Sequence, residues 1–297
     1  MSSYRYAIQG YREEKVMIEL GLRFHDSAEV PFEERLKNIR NQGFSCVHIA
    51  LSKVKDIPSS VEALTPGYAM WLKKKFAAAD LDVAVIGCYK NLANPSKDKL
   101  KAIQEEYMAN LRFASILGAG VVGTETGMPN EDYHYEPEAT KSDEALKIFI
   151  DGLKPVVKYA ESVGQIIAIE PVWRHIVSTP ERARIVLDQI ESPNLQIIFD
   201  PVNLISPYEY DKRNETIART IDILGKDIAM IHLKDCRLDA NEVKSMGCGL
   251  GDMDYSEIVK FVLTRKDHIH ATLEDTKPDS AEVSRRCIEG YENKIFE

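Results

Sequence analysis

Long apolar runs, paired cysteines and an excess of basic residues are all missing from this 297-residue sequence. No apolar run approaches the roughly 20 residues of a membrane span, and the charged N-terminal stretch contains no apolar h-region. The five cysteines include no Cys-x-x-Cys pair, which is typical of reduced thiols. We therefore predict a cytoplasmic protein with no signal peptide and no membrane partner.

The charge balance is acidic, with a formal net charge of −9. Nucleic-acid binding depends largely on basic side chains that neutralise phosphates, so this balance argues against a nucleic-acid partner. Apolar residues make up 44% of the chain and charged residues 29%, as in an ordinary globular protein. The oligomeric state is left open by the sequence, and a homo-oligomer is one of the options.

Short apolar runs alternate with amphipathic stretches along the chain. They predict strands at about 16–21, 46–51, 83–88, 121–125, 167–170, 195–200, 228–232 and 269–274, and helices at about 31–42, 66–79, 97–117, 143–163, 179–190, 215–224, 255–265 and 280–293. Such alternation favours a parallel sheet, and eight units favour one (β/α)8 TIM barrel, in the α/β class, over residues 1–297. A doubly wound open sheet is the alternative, but its Gly-x-Gly-x-x-Gly motif is missing from the first βα turn.

Four predicted strands end in a side chain that can bind a metal ion, namely Glu170, Asp200, His232 and Glu274. In turn, 30, 32 and 42 residues separate them, so each belongs to its own βα unit of roughly 30 residues or more. All strand C-termini of such a barrel open on one face, where the active sites of this architecture lie. Three carboxylates brought together repel one another, so the set predicts a divalent cation.

Each of these residues also has a structural interpretation when it is taken alone. Glu170 suits a carboxylate held by a loop amide or by a lysine such as Lys234. Asp200 suits an Asx-type turn, and His232 suits a buried core imidazole. Structural roles for all four are a weaker explanation, because the residues recur at regular βα spacing.

These motifs resemble, in order and spacing, the xylose isomerase-like TIM-barrel superfamily, specifically its sugar phosphate isomerase/epimerase group. The resemblance covers essentially the whole chain and rests on Ile-Glu170-Pro, Phe-Asp200-Pro-Val-Asn203, Ile-His232-Leu-Lys234-Asp, Gly249-Leu-Gly-Asp252-Met-Asp254-Tyr and Leu-Glu274-Asp. It implies that one divalent metal ion, Mn²⁺, Mg²⁺, Co²⁺ or Zn²⁺, is bound by Glu170, Asp200, His232 and Glu274.

The resemblance also implies a reaction on a small-molecule carbohydrate. Glu170 and Glu274 would exchange protons with a carbon of a sugar, polyol or sugar acid, phosphorylated or not, by way of an ene-diolate. The metal ion would act as a Lewis acid on the substrate. The predicted function is therefore a metal-dependent isomerase or epimerase of carbohydrate metabolism.

Asn203 departs from the family pattern, because many members carry His three residues after this Asp. Asn can position substrate oxygens but cannot shuttle protons near neutral pH, so we expect Asn203 to bind substrate. Lys234 is expected to hold an oxyanion or a phosphate. A salt bridge between Lys234 and Asp235 or Asp200 is the alternative.

Further substrate contacts are predicted in the loops at the strand ends. Glu125 could bind sugar hydroxyls, with a buried salt bridge as its alternative. Arg174 and His175 could bind an anionic group, although loop cations are usually solvated. Trp173 and Tyr89 could stack on a sugar face, although such aromatics more commonly pack beneath a loop.

Two more features have a structural interpretation that is at least as good as the functional one. His48 lies inside the second predicted strand and is expected in the core rather than at a metal ion. The loop with Gly247, Gly249 and Gly251 could hold a phosphate, but a tight turn explains these glycines equally well.

Three other functions compete with the predicted one. A lyase on this scaffold that dehydrates a keto-inositol or shikimate-type substrate is not separated from it by the sequence. A DNA-repair endonuclease that shares this barrel binds three zinc ions, but Asn203 and Asp252-Met-Asp254 lack histidines that it needs. A non-catalytic sugar-binding barrel is disfavoured by the intact set of ligands.

Overall fold

A closed barrel of eight parallel strands forms the centre of the computed structural model, which describes residues 18–266 and 268–296. The strands are Ile18–Arg23 (β1), Cys46–Ile49 (β2), Asp82–Gly87 (β3), Val121–Glu125 (β4), Ile166–Glu170 (β5), Leu195–Phe199 (β6), Ile228–Leu233 (β7), Asp235–Asp239 (β8), Glu242–Met246 (β9) and Ile269–Leu273 (β10). The barrel order is β1-β10-β7-β6-β5-β4-β3-β2, and β8 pairs with β9 in a separate hairpin. The predicted (β/α)8 TIM barrel is confirmed, and the alternative open sheet is wrong.

The principal helices of the described residues alternate with the barrel strands. They are Phe32–Asn41 (α1), Pro66–Ala78 (α2), Lys97–Leu117 (α3), Asp143–Val163 (α4), Pro180–Ile190 (α5), Arg213–Leu224 (α6), Ser256–Arg265 (α7) and Ala281–Phe296 (α8). The hydroxyl of Ser142 caps α4 by accepting from the Ala145 N–H, and Thr179 caps α5 in the same way. None of the helices in the described part of the chain is long and apolar enough to cross a lipid bilayer.

Apolar side chains are buried on both faces of the barrel strands. The larger cluster joins strand residues such as Leu22 and Ile169 to helix residues such as Phe149. A smaller cluster contains strand residues alone, including Val85 and Ile198, and fills the barrel interior. Burial on both faces explains why these strands are nearly continuous apolar runs, on which a polar side chain stands out.

Several element boundaries differ from the prediction by up to three residues, and two segments differ in kind. β1 begins at Ile18 and continues to Arg23, beyond the predicted strand 16–21, whose first two residues lie outside the described part of the chain. The loop 126–142 contains one helical turn, Pro137–Thr140. The hairpin of β8 and β9 has no counterpart in the prediction. The first 17 residues, where we expect no signal peptide, also lie outside the described part.

Candidate functional site

Four polar side chains meet at the C-terminal ends of β5, β6, β7 and β10, which are consecutive in the barrel. Glu170 is the last residue of β5, Asp200 follows β6, His232 lies near the end of β7 and Glu274 follows β10. Each of the four is at most 4% exposed. The structure thus brings together the residues that the sequence proposes as metal ligands.

His232 lies at the centre of this group. Its Nδ1 atom is 3.2 Å from Oε2 of Glu170 and 3.3 Å from Oε1 of Glu274. Ligand-type atoms of Glu170, Asp200 and His232 all lie within 4.8 Å of one another, and the same holds for His48, His232 and Glu274. The two sets share His232, so they form one continuous cluster.

Both ring nitrogens of His232 are buried and lack a hydrogen-bond partner among the described residues. Leaving a buried polar group unpaired costs about 1–3 kcal/mol, so such atoms normally have a partner. Burial also lowers the pKa of His232, and the neutral imidazole is the form that donates a lone pair to a metal ion. The side chains present therefore fit a divalent cation.

The carboxylates give a second reason why a cation fits. Burial, and then the charge of Glu274, raises the pKa of Glu170 to about 7. Burial raises the pKa of Asp200 to about 6, although Lys234 opposes this. Burial also acts on Glu274, but His232 and Lys234 outweigh it and hold the pKa of Glu274 well below its usual range. A bound cation would favour the ionised form of all three carboxylates.

Lys234 lies between two of these carboxylates. Its Nζ atom is 2.7 Å from Oδ2 of Asp200 and 3.3 Å from Oε2 of Glu274. The carboxylate of Asp235 instead accepts from the backbone N–H groups of Cys236, Gly249 and Met253. Of the two salt bridges considered for Lys234, the one with Asp200 is therefore the one that forms.

Asp200 also forms the turn that the sequence suggests. Its Oδ1 atom accepts from the backbone N–H groups of Val202 and Asn203, at 2.9 and 3.0 Å. This fixes the carboxylate and leaves Oδ2 facing Lys234. The turn and a metal-ligand role are compatible, because each uses a different oxygen.

Asn203 contacts Glu170 and is itself held by the loop after β5. The Nδ2 group of Asn203 donates a hydrogen bond to Oε1 of Glu170. The backbone N–H of Trp173 donates to the carbonyl of Asn203 at 2.8 Å. Asn203 is thus in contact with the proposed catalytic glutamate, where it can orient the carboxylate.

Other predicted rim residues lie close to one another. Nδ1 of His175 lies 3.8 Å from Oε2 of Glu125. Burial, and then the charge of Glu170, raises the pKa of Glu125 to about 7. The exposed Arg174 places its guanidinium 4.7 Å from the ring centroid of Trp173.

The adjoining strands β1 and β2 contribute groups that we did not predict as functional. Arg23, at the end of β1, has Nη1 3.2 Å from Oε2 of Glu274 and also pairs with Asp26 and Asp275. Nδ1 of His48 lies 3.3 Å from Oε1 of Glu274. The His48 ring stacks on His232 with centroids 4.9 Å apart. His48 is therefore buried, as expected, but it lies in the candidate site and not in an apolar core.

The sequence contains only weak signals for these two residues. His48 interrupts the apolar run of β2, and Arg23 ends the run of β1. Each residue alone has common structural roles, and their importance depends on contacts with Glu274. Tyr89, which was proposed to stack on a sugar, instead directs its hydroxyl to Nε2 of His48, at 2.9 Å.

A cavity of about 250 Å³ opens directly onto this cluster. Its lining includes predicted site residues, namely Glu125, Glu170, Asn203, Lys234 and Glu274. It also includes the unpredicted groups Arg23, His25, His48 and Lys53. Among the described residues, this lining does not extend to Trp173, Arg174 or His175. A wider cavity of about 860 Å³ lies at the opposite end of the barrel, where β1 and β3 begin.

The glycine-rich loop wraps a carboxylate of the protein itself. A Cβ atom on Gly251 would lie 2.4 Å from Oδ1 of Asp235 and 2.4 Å from the carbonyl oxygen of Cys236. The backbone N–H of Gly249 donates to Asp235. Close approach to Asp235 therefore explains Gly251, and the positive φ of 83° at Gly249 agrees with the turn interpretation.

Sequence comparison identifies a family for nearly the whole chain. The family described as xylose isomerase-like TIM barrel matches residues 36–291. The comparison with curated proteins found no match.

Solved structures of similar fold include several proteins that act on carbohydrates. The apo form of 3-keto-D-glucoside 4-epimerase, YcjR, from E. coli has a TM-score of 0.71 at 15% identity, over 93% of this chain and 99% of that one. A D-tagatose 3-epimerase-like protein has 0.70 at 19% identity, over 94% and 100%. The IolI protein with a bound zinc atom has 0.67 at 16% identity, over 93% and 95%. At these identities the likeness establishes the fold alone.

Proposed function

The chain belongs to the xylose isomerase-like TIM-barrel family, and from this premise we propose that it is a divalent-metal-dependent isomerase or epimerase. Its substrate is a small sugar, polyol or sugar acid. The observation that carries this proposal is the cluster around His232, whose two buried nitrogens form no hydrogen bond among the described residues and lie among three carboxylates. Similarity to epimerases such as the one from E. coli supports the same reaction class.

Glu170, Asp200, His232 and Glu274 are the proposed ligands of the ion. When bound, the ion supplies Lewis-acid polarisation of a substrate carbonyl oxygen. Two glutamates, one aspartate and one histidine form an oxygen-rich set that suits Mn²⁺ or Mg²⁺, and Zn²⁺ and Co²⁺ accept the same groups. The zinc atom bound by the similarly folded IolI protein is consistent with this range.

Glu170 and Glu274 are the proposed acid/base pair. They stand on β5 and β10, with β6 and β7 between them in the barrel, and both line the cavity. One carboxylate removes a proton from the carbon next to the carbonyl group, which gives an ene-diolate. The other returns a proton to that carbon or its neighbour, so the outcome is epimerisation or isomerisation.

The remaining predicted residues have proposed roles around this pair. Asn203 orients Glu170 and binds a substrate oxygen, and Lys234 stabilises negative charge on the substrate beside Asp200. Glu125 binds substrate hydroxyls from the cavity wall. Trp173, Arg174 and His175 lie on the loop that follows β5 and act on the substrate through the positions of Asn203 and Glu125.

Metal analysis tests the ligand set first. The protein is purified from cells grown with Mn²⁺, Mg²⁺, Co²⁺ and Zn²⁺. We expect the wild type to contain about one divalent ion per chain and His232→Ala to contain none. His268→Ala is a matched control, because His268 is half-exposed beside Glu19 and far from the cluster in the fold. A metal-free wild-type protein under these conditions would favour the non-catalytic sugar-binding barrel.

Isotope exchange tests the reaction while the substrate is still unidentified. Ketoses, keto acids and keto-polyols are incubated with the metal-loaded protein in ²H₂O, and NMR follows deuterium incorporation next to the carbonyl group. Exchange with epimer or aldose formation supports the proposal. Loss of water with formation of an unsaturated ketone would instead identify a dehydratase, and no exchange with any member of the panel would count against the proposed reaction.

A further inference from the structure

A second cavity lies beside the proposed catalytic cavity, between the loops that follow β1 and β2. We call it the side groove; its volume is about 500 Å³, and its lining includes His25, Ser27, Glu29, Arg35, Lys53 and Lys55. His25 and Lys53 line both the side groove and the catalytic cavity. A ligand that reaches from one cavity into the other would therefore pass these two side chains.

Arg35 is the most unusual group in the wall of the side groove. It is only 6% exposed, and its guanidinium lies 5.0 Å from the ring centroid of Phe24. Across residues 18–266 and 268–296, its Nε atom has no hydrogen-bond partner and its guanidinium forms no salt bridge. A buried N–H without an acceptor costs about 1–3 kcal/mol, so such donors normally have a partner. The ring of Phe24 covers one face of the guanidinium but supplies no acceptor.

The acidic residues of the side groove are engaged elsewhere. Glu29 pairs with Lys55, and Oδ2 of Asp56 accepts from the backbone N–H of Phe32 at 2.6 Å. The hydrogen bond and the charge of Lys55 lower the pKa of Glu29, whereas Arg35 makes only a smaller contribution. Arg35 and Lys53 therefore face the side groove without a dedicated counter-ion in the described chain.

We propose that the side groove binds an anionic group, a carboxylate or a phosphate ester, of the substrate whose carbonyl end lies at the metal-binding cluster. This inference rests on the proposed function and narrows its substrate to an acidic sugar derivative. The planar guanidinium of Arg35 offers the paired donors that carboxylate and phosphate oxygens accept. Lys53 adds a mobile charge at the passage between the cavities. Arg174, which the sequence suggested for this role, is exposed on the other side of the site.

Anion binding is measured on the full chain after chelation of metal, so that no ion can bind the probe. Inorganic phosphate and acetate are titrated separately against the melting temperature, because a ligand that binds only the folded state raises it. A rise with phosphate at lower concentration indicates a phosphate ester, and the reverse order indicates a carboxylate. No rise with either anion would overturn the proposal.

Arg35→Met and Lys53→Gln locate the binding. Arg35→Met should weaken binding of the effective anion by about tenfold or more, the size expected for charge-assisted hydrogen bonds. Its melting temperature without anion should equal or exceed that of wild type, because a buried donor without an acceptor is removed. Lys53→Gln, at an exposed position, should weaken binding less and leave the fold intact. Unchanged affinity in both variants would place the anion elsewhere.

Arg40→Met is the matched control. Arg40 lies on the same helix, makes an exposed pair with Asp80 and does not line the side groove. It should bind the anion as wild type does. In the exchange assay, Arg35→Met should reduce kcat/KM about tenfold or more for an anionic substrate and leave a neutral analogue unchanged; equal losses would overturn the assignment.

These measurements separate the two proposals. If the protein binds phosphate in the side groove but binds no metal ion, the proposed function is refuted and the anion site stands. If the protein is a metal-dependent enzyme but Arg35→Met changes neither its anion-dependent melting temperature nor its activity, the anion site is refuted and the proposed function stands.

Discussion

At the C-terminal face of the barrel, one half presents carboxylates and His232 on β5, β6, β7 and β10. The other half presents Arg23 and His48, on β1 and β2, and Tyr89 after β3. The two halves contact each other at Glu274. Nη1 of Arg23 and Nδ1 of His48 lie 3.2 and 3.3 Å from its carboxylate oxygens. Glu170, in contrast, has Asn203 as its neighbour.

The two proposed catalytic glutamates, Glu170 and Glu274, therefore have different neighbours. Cationic and donor groups hold Glu274 in the ionised form, whereas burial and a neighbouring carboxylate raise the pKa of Glu170. The acidic half contains the proposed ligands of the ion, and the basic half positions one of these ligands. Substitutions in both halves test this division.

Glu170→Gln and Glu274→Gln should each reduce turnover by about 10²–10⁴-fold, the range for loss of a general acid or base, and should weaken metal binding. Isotope exchange and elemental analysis measure the two effects. Thermal melting should show a folded protein in both cases, with the larger loss of stability in Glu274→Gln because it leaves Arg23 and Lys234 without their shared carboxylate. Unchanged activity in either variant would refute the site assignment.

Lys234→Met should destabilise the metal-free protein by about 3–5 kcal/mol, because it leaves Asp200 as an unpaired buried charge. Urea denaturation after chelation measures this loss. Added metal should recover part of it, since a cation replaces the missing positive charge. Lys244→Met is the control, because its exposed pair with Glu242 should contribute nothing measurable. A metal-free Lys234→Met protein as stable as wild type would remove the proposed role of this lysine.

His48→Gln should keep the metal ion but lower kcat by about tenfold, as expected for loss of one polar contact with a charged group. The physical reason is that His48 contacts Glu274 and stacks on His232 without belonging to the proposed ligand set. Elemental analysis and isotope exchange on the same sample measure both properties. Loss of the metal ion in this variant would show that the basic half also supplies a ligand, and the division would fail.

Tyr89→Phe should have the smallest effect, a reduction in kcat that corresponds to about 0.5–1.5 kcal/mol. It removes only the hydroxyl that meets Nε2 of His48, at 2.9 Å. If Tyr89 acts through His48, the double variant with His48→Gln should be no slower than His48→Gln alone. Additive losses would instead indicate that Tyr89 contacts the substrate directly.

The hairpin of β8 and β9 illustrates a limit of local sequence patterns. Its two-residue turn consists of Ala240 and Asn241, both with positive φ, at 45° and 64°. Asn-Gly or Asp-Gly is the usual signal for such a turn, and Ala does not favour this conformation. The pairing of the two strands stabilises a turn that the local sequence does not predict.

The eight alternating units and the four metal-binding candidates follow from the sequence alone, because apolar periodicity and spacing along the chain are local properties. The surroundings of Glu274 and the burial of Arg35, which has no salt-bridge partner among the described residues, depend on the tertiary structure. Barrel closure places β1 beside β10, so Arg23 meets a carboxylate 251 positions away in the chain. Such contacts depend on the register of strands at the seam of the barrel, which no local pattern encodes.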